Sequence, residues 1–330
     1  MKPKLLVVEL WGLGDLVIGA PFWELAARQF DVTLLAKPYA RDLQARFWPE
    51  IRVVPLTAPW TAFNHKYQLW RWPWGRLGAV LGELRRARFD VAVSARWDPR
   101  DHVLLALTGA KRRLGFSRLR SRAFLTDAPA RPDPAAHHYE YWRRLGAELG
   151  LALPERAALR AGRPAPGRRV LVHSGAAQPV RVWPLERYQS LVRRLRAANF
   201  EVRVLADPNQ REFWLRAGEP AVRTPATVTE LLDCLGEGGA FIGNDSGPGH
   251  LAAYLGLPTL TIFGPQLPGW FAPLHPQAVW LEGKSCPYKP CSDYCRYPTP
   301  HCLTGITEEE VWGRVREFLR DNPAVRPGPG

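Results

Sequence analysis

Residues 239–264 read Gly239-Ala-Phe-Ile-Gly-Asn-Asp-Ser-Gly-Pro-Gly-His-Leu-Ala-Ala-Tyr-Leu-Gly-Leu-Pro-Thr-Leu-Thr-Ile-Phe-Gly264. The segment contains an apolar run (240–242), a polar turn (243–248), a small-residue apolar pattern (250–255) and a β-rich run (259–263). This order predicts strand, turn, helix and strand, and therefore an α/β fold. In such folds, anionic ligands bind at the turn between a parallel strand and the next helix. We expect a ligand at Asp245, Ser246 and Gly247, although helix capping explains an Asp or Ser here equally well.

The residues 243–252 and Phe263-Gly264-Pro265 carry a family resemblance. They match, almost letter for letter, a Gly-Asn-Asp-Ser-Gly-Pro-x-His-Leu-Ala turn followed by a strand ending in Phe-Gly-Pro. In these motifs the chain resembles the family 9 glycosyltransferases, the heptosyltransferases of bacterial lipopolysaccharide assembly. The resemblance implies the GT-B fold, in which two doubly wound Rossmann-like domains face each other across a cleft. It also implies that Asp245, Ser246 and Gly247 contact the donor sugar and phosphates, with His250 nearby; a packed, hydrogen-bonded histidine is the alternative for His250.

Composition limits the class of protein. The chain has 330 residues, 46% of them hydrophobic, which is enough for two domains with separate cores. No apolar segment reaches the roughly 18 residues of a membrane span, and the N-terminus has no cleavage site, so we expect a cytoplasmic protein. The net charge of +14 suits a phosphorylated substrate or a peripheral contact with the inner membrane surface. No nucleic-acid recognition motif accompanies that charge, so nucleic acid is not an expected partner.

Strand and helix patterns alternate in both halves of the chain, which predicts parallel sheets with helices on both faces. A Pro-, Ala- and Gly-rich stretch between Leu149 and Arg168 predicts the linker. We therefore predict two domains, over residues 1–160 and 161–330; the family resemblance implies that the first binds the acceptor and the second binds the nucleotide-sugar donor. The final helix, predicted over 308–320, is a candidate to pack back on the first domain.

The first predicted strand runs into Glu9-Leu-Trp-Gly-Leu-Gly-Asp-Leu-Val-Ile-Gly-Ala-Pro21. Gly12 and Gly14 allow a sharp turn at the carboxyl edge of the sheet, and Asp15 begins the helix, where an N-cap is the ordinary explanation. The family's N-terminal motif is a Gly-Asp followed by a small, apolar helix start and a Pro, which residues 14–21 match. The resemblance implies that Asp15 is the general base for the acceptor hydroxyl and that Gly14 lies beside the acceptor.

The second domain begins with Val170-Leu-Val-His-Ser-Gly-Ala-Ala-Gln-Pro-Val-Arg-Val-Trp-Pro184, which resembles the family's His-x-Gly-Ala...Lys-x-Trp-Pro element. Ser174 and Gly175 lie in the first strand-to-helix turn and are predicted to face the diphosphate. Arg181 stands in the place of the family's Lys and is predicted to neutralise the leaving nucleoside diphosphate, although the two residues are not equivalent. A surface charge is the alternative for Arg181.

Asp207 follows a predicted strand where the family commonly has Gly-Gly-Pro beside the base and ribose. That match is loose, and Gln210 or Glu212 could equally contact the ribose. In the first domain, the Arg-rich segment Lys111–Arg122 is predicted to hold an anionic, lipid-linked glycan acceptor through Lys111, Arg112 and Arg113. Aromatic and basic residues also alternate in one stretch, which suits a membrane interface, a sugar-phosphate acceptor or core packing: Trp60, Lys66, Trp70, Arg71, Trp72, Trp74 and Arg76.

Four of the five cysteines fall within one segment: Cys286, Cys291, Cys295 and Cys302. In a cytoplasmic chain, such clustering favours a structural Zn or Fe over disulfides, but the spacing is not that of a zinc ribbon, and reduced thiols in a Pro-rich loop remain the alternative. No Asp-x-Asp motif is present, so no cofactor is expected for catalysis. The family resemblance implies an inverting glycosyltransferase that moves a heptose from ADP-heptose to a hydroxyl of lipopolysaccharide core or a related glycan. A nucleotide-sugar epimerase of the same fold and a non-catalytic glycan-binding relative remain alternatives.

Overall fold

The computed structural model describes residues 1–62, 67–159, 165, 167–291, 294–322 and 324–328. The chain divides into two compact units, Met1–Glu155 and Arg156–Gly330. The predicted boundary between residues 160 and 161 lies outside the described residues, as does Lys66 of the aromatic stretch. No helix in the described ranges is both long and apolar enough to span a membrane.

The first unit is built on a sheet whose described strands are all parallel, in the order β3-β2-β1-β4-β5. The strands are β1 Lys4–Glu9, β2 Asp31–Ala36, β3 Arg52–Pro55, β4 Val91–Ser94 and β5 Arg112–Gly115. The helices are α1 Leu13–Ala26, α2 Ala40–Phe47, α3 Trp74–Ala87, α4 Pro99–Leu107 and α5 His138–Glu148. This order places β1 at the centre of the sheet, so the residues that follow it lie in the middle of the carboxyl edge.

The central strands of this unit are largely apolar because helices cover both faces of the sheet. Leu5 to Val8 of β1 are fully buried. On one face, Leu6 and Val8 pack with Leu105 of α4 in one apolar cluster. Elsewhere in the unit, the Trp23 ring meets the rings of Trp48 and Trp142 edge to face, at centroid distances of 5.5 and 5.7 Å. Such pairs add about 0.5–1.5 kcal/mol each beyond the burial of their area.

The second unit repeats the plan, with described strands all parallel in the order β10-β9-β8-β6-β7. The strands are β6 Arg169–His173, β7 Val202–Leu205, β8 Gly238–Asn244, β9 Thr259–Phe263 and β10 Ala278–Glu282. The helices are α6 Leu185–Ala197, α7 Arg211–Arg216, α8 Val228–Leu235, α9 Gly247–Tyr254, α10 Pro268–Phe271, α11 His301–Thr304 and α12 Glu308–Arg320. The two sheets confirm the predicted α/β class of two doubly wound, Rossmann-like units.

Helix α12 packs into the core of its own unit. It begins with a reciprocal cap, in which the Thr307 hydroxyl accepts from the Glu310 amide and the Glu310 carboxylate accepts from the Thr307 amide. Its apolar face contributes Val311, Val315 and Phe318 to the cluster that surrounds β6, β8 and β9. The structure thus gives this helix a place in the second unit.

Candidate active site

A pocket of about 600 Å³ opens among the residues that follow β1 and β4. Its lining includes Glu9, Trp11, Asp15, Arg96, Arg118 and His138. In the sheet, Leu5 pairs with Val91, so the strands end level with each other and the residues after them share one edge. The first unit therefore holds a carboxylate-containing pocket at the carboxyl edge, where α/β sheets bind ligands.

Asp15 lies in the first turn of α1 and is one-fifth exposed, with a side-chain accessibility of 20%. Its Oδ2 accepts a hydrogen bond from the Gly12 amide at 3.0 Å, while Oδ1 forms an ion pair with Arg96. His138 Nδ1 lies 3.9 Å from the same Oδ1. Burial would raise the pKa of Asp15, but Arg96 and His138 hold that pKa below its usual value. Asp15 is thus an ionised, oriented acceptor of hydrogen bonds.

Glu9 is a second carboxyl in this pocket, at the end of β1 and only 3% exposed. Its Oε1 accepts from the Trp11 amide at 3.1 Å, and its Oε2 lies 4.0 Å from Nε of Arg96. Burial raises the pKa of Glu9 to about 8; Arg96 opposes the rise and the charge of Asp15 adds to it. The pocket thus contains two carboxyls with pKa values shifted in opposite directions.

Arg96 connects these groups. Its guanidinium lies 5.2 Å from the centroid of the Trp11 ring, and its Nη1 is 3.4 Å from His138 Nδ1. The sequence motif that contains Glu9 predicts no role for it, and no sequence pattern identified Arg96 or His138. Arg96 follows β4 almost directly, so the rule that ligands bind at strand ends could have identified it once β4 was placed beside β1.

The predicted acceptor residues Lys111, Arg112 and Arg113 lie elsewhere. Arg112 begins β5 in register with Val91, at the amino end of the sheet, whereas Asp15 lies at the carboxyl end. Lys111 Nζ donates to Asp90 at 2.7 Å, and Arg112 donates to Asp127 at 3.1 Å. Arg113 donates to the carbonyls of Phe124 and Ala110, both at 2.9 Å. These three side chains therefore bind protein groups and do not join the Asp15 pocket; Gly14, in contrast, stands directly before Asp15.

The aromatic stretch divides between core and surface. Trp60 is buried and donates from Nε1 to Asp101 at 3.0 Å, and Trp72 packs on it with ring centroids 5.7 Å apart. Trp70 and Trp74 are instead exposed, at 78% and 58%. The core-packing explanation therefore holds for the first pair, while the second pair presents apolar surface to solvent.

In the second unit, the turns after β6 and β8 meet through Asn244. These strands pair in the sheet, with His173 opposite Gly243. Asn244 is fully buried; its Nδ2 donates to the carbonyls of Ser174 and Gly175 at 2.9 and 3.2 Å, and its Oδ1 accepts from the Trp183 amide at 3.0 Å. One side chain thus fixes both turns and the segment after Arg181.

Ser174 was predicted to face a diphosphate, but its hydroxyl forms hydrogen bonds with other residues of the protein. Ser174 Oγ donates to Gln210 Oε1 at 2.8 Å and accepts from Trp214 Nε1 at 2.9 Å, with the residue fully buried. Gly175 packs closely on Asp207, since a Cβ at Gly175 would lie 2.3 Å from that carboxyl group. Gln210, the alternative to Asp207 as a ribose contact, is likewise engaged with Ser174.

The remaining donor-site candidates cluster at the start of α9. Arg181 Nη1 lies 3.5 Å from Oδ2 of Asp245, whose side chain is 5% exposed. Ser246 is the N-cap residue of α9 and donates from Oγ to the Asn244 carbonyl at 3.3 Å, and Gly247 opens the helix. His250, on the first turns of α9, is buried. The unit therefore combines a cation with a helix N-terminus, a pairing that suits an anionic ligand.

The cysteines are free thiols in varied surroundings. Cys302 is buried in α11, Cys291 Sγ donates to the Tyr288 carbonyl at 3.2 Å, and Cys295 Sγ accepts from the Tyr297 amide at 3.4 Å. Cys286 is half-buried. Within the described part of the chain, no three His, Cys, Asp or Glu side chains are grouped as a metal site. The predicted Zn or Fe on this segment is therefore not supported by the positions of the thiols.

Comparison with known proteins places this geometry in a family. The model for glycosyltransferase family 9 (heptosyltransferase) matches residues 80–299. Lipopolysaccharide heptosyltransferase 1 of Pseudomonas aeruginosa is 27% identical, over 96% of this chain and 98% of that protein. The structure of the E. coli ADP-heptose lipopolysaccharide heptosyltransferase II has a TM-score of 0.70 at 19% identity, covering 96% of this chain and 98% of that one. E. coli heptosyltransferase WaaC with ADP has a TM-score of 0.73 at 18% identity, covering 96% and 99%. The fold is therefore GT-B, and the chain belongs to glycosyltransferase family 9, the heptosyltransferases.

Proposed function

We propose that this glycosyltransferase moves a heptose from ADP-heptose to a hydroxyl of lipopolysaccharide core or a related glycan, with inversion at the anomeric carbon. The donor is supported by the relatives, one named for ADP-heptose and another solved with ADP. The acceptor class is supported by the Pseudomonas aeruginosa relative, which is a lipopolysaccharide heptosyltransferase. In this proposal, the unit Met1–Glu155 binds the acceptor and the unit Arg156–Gly330 binds the nucleotide sugar.

The observation that carries the proposal is the state of Asp15. A general base must be ionised and accessible to the hydroxyl proton that it removes. Asp15 is partly exposed in a pocket of about 600 Å³, its pKa is held low, and two partners fix its orientation. Asp15 then takes the proton of the acceptor hydroxyl as that oxygen forms its bond to the anomeric carbon.

The leaving group is the ADP diphosphate, on which negative charge develops as the glycosidic bond breaks. Preorganised donors and cations aimed at such charge supply much of the transition-state stabilisation in enzymes. Arg181 and the amides at the start of α9 are the groups that we assign to the diphosphate, with Asp245 orienting Arg181. His250 and Asp207 complete the proposed donor site, next to the turn that Asn244 holds. No metal ion or cofactor has a part in these steps.

The acceptor in this proposal is anionic and lipid-linked. Arg118 lines the Asp15 pocket and takes the role that Lys111, Arg112 and Arg113 were predicted to have. Arg100 lines the same pocket, with its guanidinium paired to Asp98. Exposed apolar side chains adjoin them, because Tyr67 and Leu119 line the same pocket and are 77% and 76% exposed. We assign this rim, together with Trp70 and Trp74, to the cytoplasmic surface of the inner membrane, where such an acceptor would be presented.

The proposed base is tested by Asp15→Asn, which removes the carboxylate and keeps the shape. Turnover of ADP-heptose with a lipopolysaccharide core acceptor should fall about 100-fold or more, as expected when a general base is removed. Asp42→Asn is the matched control, because Asp42 lies in the first turn of α2 as Asp15 lies in the first turn of α1. Near wild-type turnover by Asp15→Asn, in a variant that melts as the wild type does, would refute the assignment.

A further inference from the structure

The reaction proposed above uses Asp15 and leaves Glu9 without a role. Glu9 is more deeply buried than Asp15, at 1% against 20% side-chain exposure, yet it lines the same pocket. A carboxyl buried this completely is costly unless its neighbours compensate it or it is held neutral. The contacts of Glu9 therefore determine whether its carboxyl is charged beside the base.

Glu9 and Asp15 share one cation. Arg96 pairs with Oδ1 of Asp15 through Nη2, and its Nε lies 4.0 Å from Oε2 of Glu9. The guanidinium is planar, and its position over the Trp11 ring, 5.2 Å from the centroid, restricts its movement toward either carboxyl. The Trp11 amide holds Glu9 Oε1 at 3.1 Å, so Glu9 is also fixed. The two carboxyls therefore compete for the positive charge of Arg96.

We propose that Glu9 is a positioning residue that sets the basicity of Asp15 through the shared Arg96, an inference that rests on the proposed role of Asp15. When Glu9 is neutral, the charge of Arg96 acts on Asp15 alone and lowers its affinity for a proton. When Glu9 is ionised, Arg96 is divided between two carboxylates, and a second negative charge lies near Asp15. Asp15 is then the stronger base, and transfer is faster. Glu9 exchanges its proton with solvent and takes none from the acceptor.

Glu9 should change its protonation state within the pH range of an enzyme assay, because burial raises the pKa of Glu9 to about 8. Other titratable groups face this site from neighbouring segments: Lys37 and Tyr39 after β2, Asp101 on α4 and His138 on α5. Burial lowers the pKa of Lys37 and of His138, and it raises the pKa of Asp101 to about 6. The titration of Glu9 can be distinguished from the titrations of these four groups only by comparing variants of the protein.

The kinetic test is the pH profile of kcat. For the wild type, kcat should rise roughly three- to ten-fold between about pH 6 and about pH 9, the change expected for a modest gain in base strength. Glu9→Gln should lose this rise, and Glu9→Asp, which keeps a carboxyl, should retain one. Asp101→Asn is the matched control: it neutralises a buried carboxyl bonded to Trp60 and Ser94, and it should keep the rise. If kcat still rose with pH in Glu9→Gln, the rise would come from another group, such as Lys37, and the proposal would be overturned.

A second test needs no transfer activity. In protein labelled with carbon-13 at the Glu carboxyls, one resonance should titrate with a midpoint near pH 8 and vanish in Glu9→Gln. Asp15→Asn should lower that midpoint by about one pH unit or more, because it removes a like charge and leaves Arg96 to Glu9. An unchanged midpoint would overturn the inference. If the midpoint shifts but ADP-heptose is not consumed, the coupling stands and the proposed function fails instead.

Discussion

At the scale of single residues, the Glu9 carboxyl should make the stability of the fold depend on pH. Its usual pKa of 4.5 is raised to about 8 by burial. Below pH 4.5 Glu9 is protonated in both the folded and the unfolded chain, so its contribution to stability is fully present there. As pH rises toward 8, the unfolded chain releases the proton and the folded chain keeps it. The free energy of unfolding should then fall by about 1.4 kcal/mol per pH unit from this group.

Thermal unfolding of Glu9→Gln and the wild type, compared at about pH 5 and about pH 8, measures this effect. The melting temperature of the variant relative to the wild type should be higher at the upper pH. Asp15 does not interfere, because its pKa is lowered: the stability that it contributes is present above its usual pKa of 3.8 and is lost only in more acidic solution. An equal difference at both pH values would show that Glu9 is ionised in the fold.

Residue types and motifs predicted part of the candidate site. Asp15, Arg181 and Asp245 were identified because they stand in turns after buried strands or match family motifs. Arg96 and His138 were missed because only the tertiary structure brings each of them beside Asp15. Arg96 meets Asp15 because β4 pairs with β1, although 80 residues of sequence lie between Asp15 and Arg96. A charged residue after a strand becomes a candidate only when the neighbours of that strand are known.

At the scale of secondary-structure elements, Asn244 connects three of them. It ends β8, donates to the turn after β6 and accepts from the segment that leads into α6. Asn244→Ala should leave two buried carbonyls and one amide without these partners, at a cost of about 2–4 kcal/mol. The melting temperature should fall by several degrees, and the additional stabilisation by ADP should shrink, since ligand that binds only the folded state raises stability.

Asn209→Ala is the comparison for this variant, because Asn209 is exposed in the turn before α7. It should melt as the wild type does and keep the response to ADP. If Asn244→Ala and Asn209→Ala melted alike, the turns after β6 and β8 would be held together by other contacts.

Elements with strong local signals were predicted well, and those shaped by their surroundings were not. Strand β9 and helix α12 have the predicted bounds, because a β-rich run marks the strand and a Thr-x-x-Glu cap marks the helix. The sequence does not predict strand β5 and assigns Arg112 and Arg113 to an Arg-rich acceptor-binding segment, because these two residues obscure the strand pattern. In the structure, these arginines are satisfied by Asp127 and by backbone carbonyls, which allows them to lie in an edge strand.

At the scale of the whole molecule, the net charge of +14 gives the surface an attraction for anionic partners. The net charge alone does not indicate which part of the surface binds such a partner. The rim of the Asp15 pocket, however, combines basic side chains with exposed apolar ones. Leu119 and Arg120 both adopt left-handed backbone conformations, with φ of 49° and 63°. A non-glycine residue there costs of order 1 kcal/mol or more, and in this loop it accompanies an outward-facing Leu119. The loop is therefore shaped to present an apolar tip beside Arg118 and Arg120.

The membrane contact is tested with vesicles, without donor or acceptor. The protein should sediment with vesicles of phosphatidylcholine and phosphatidylglycerol, and much less with phosphatidylcholine alone, because each basic residue near an anionic surface contributes about 1 kcal/mol. Trp70→Ser should weaken binding several-fold, and added salt should weaken it further. Tyr294→Ser is the matched control, since Tyr294 is also highly exposed, at 69%, but belongs to the second unit. Equal loss in both variants, or equal binding to neutral vesicles, would mean that the rim of the Asp15 pocket does not dock on lipid. Its exposed aromatic residues would then have to contact the glycan itself.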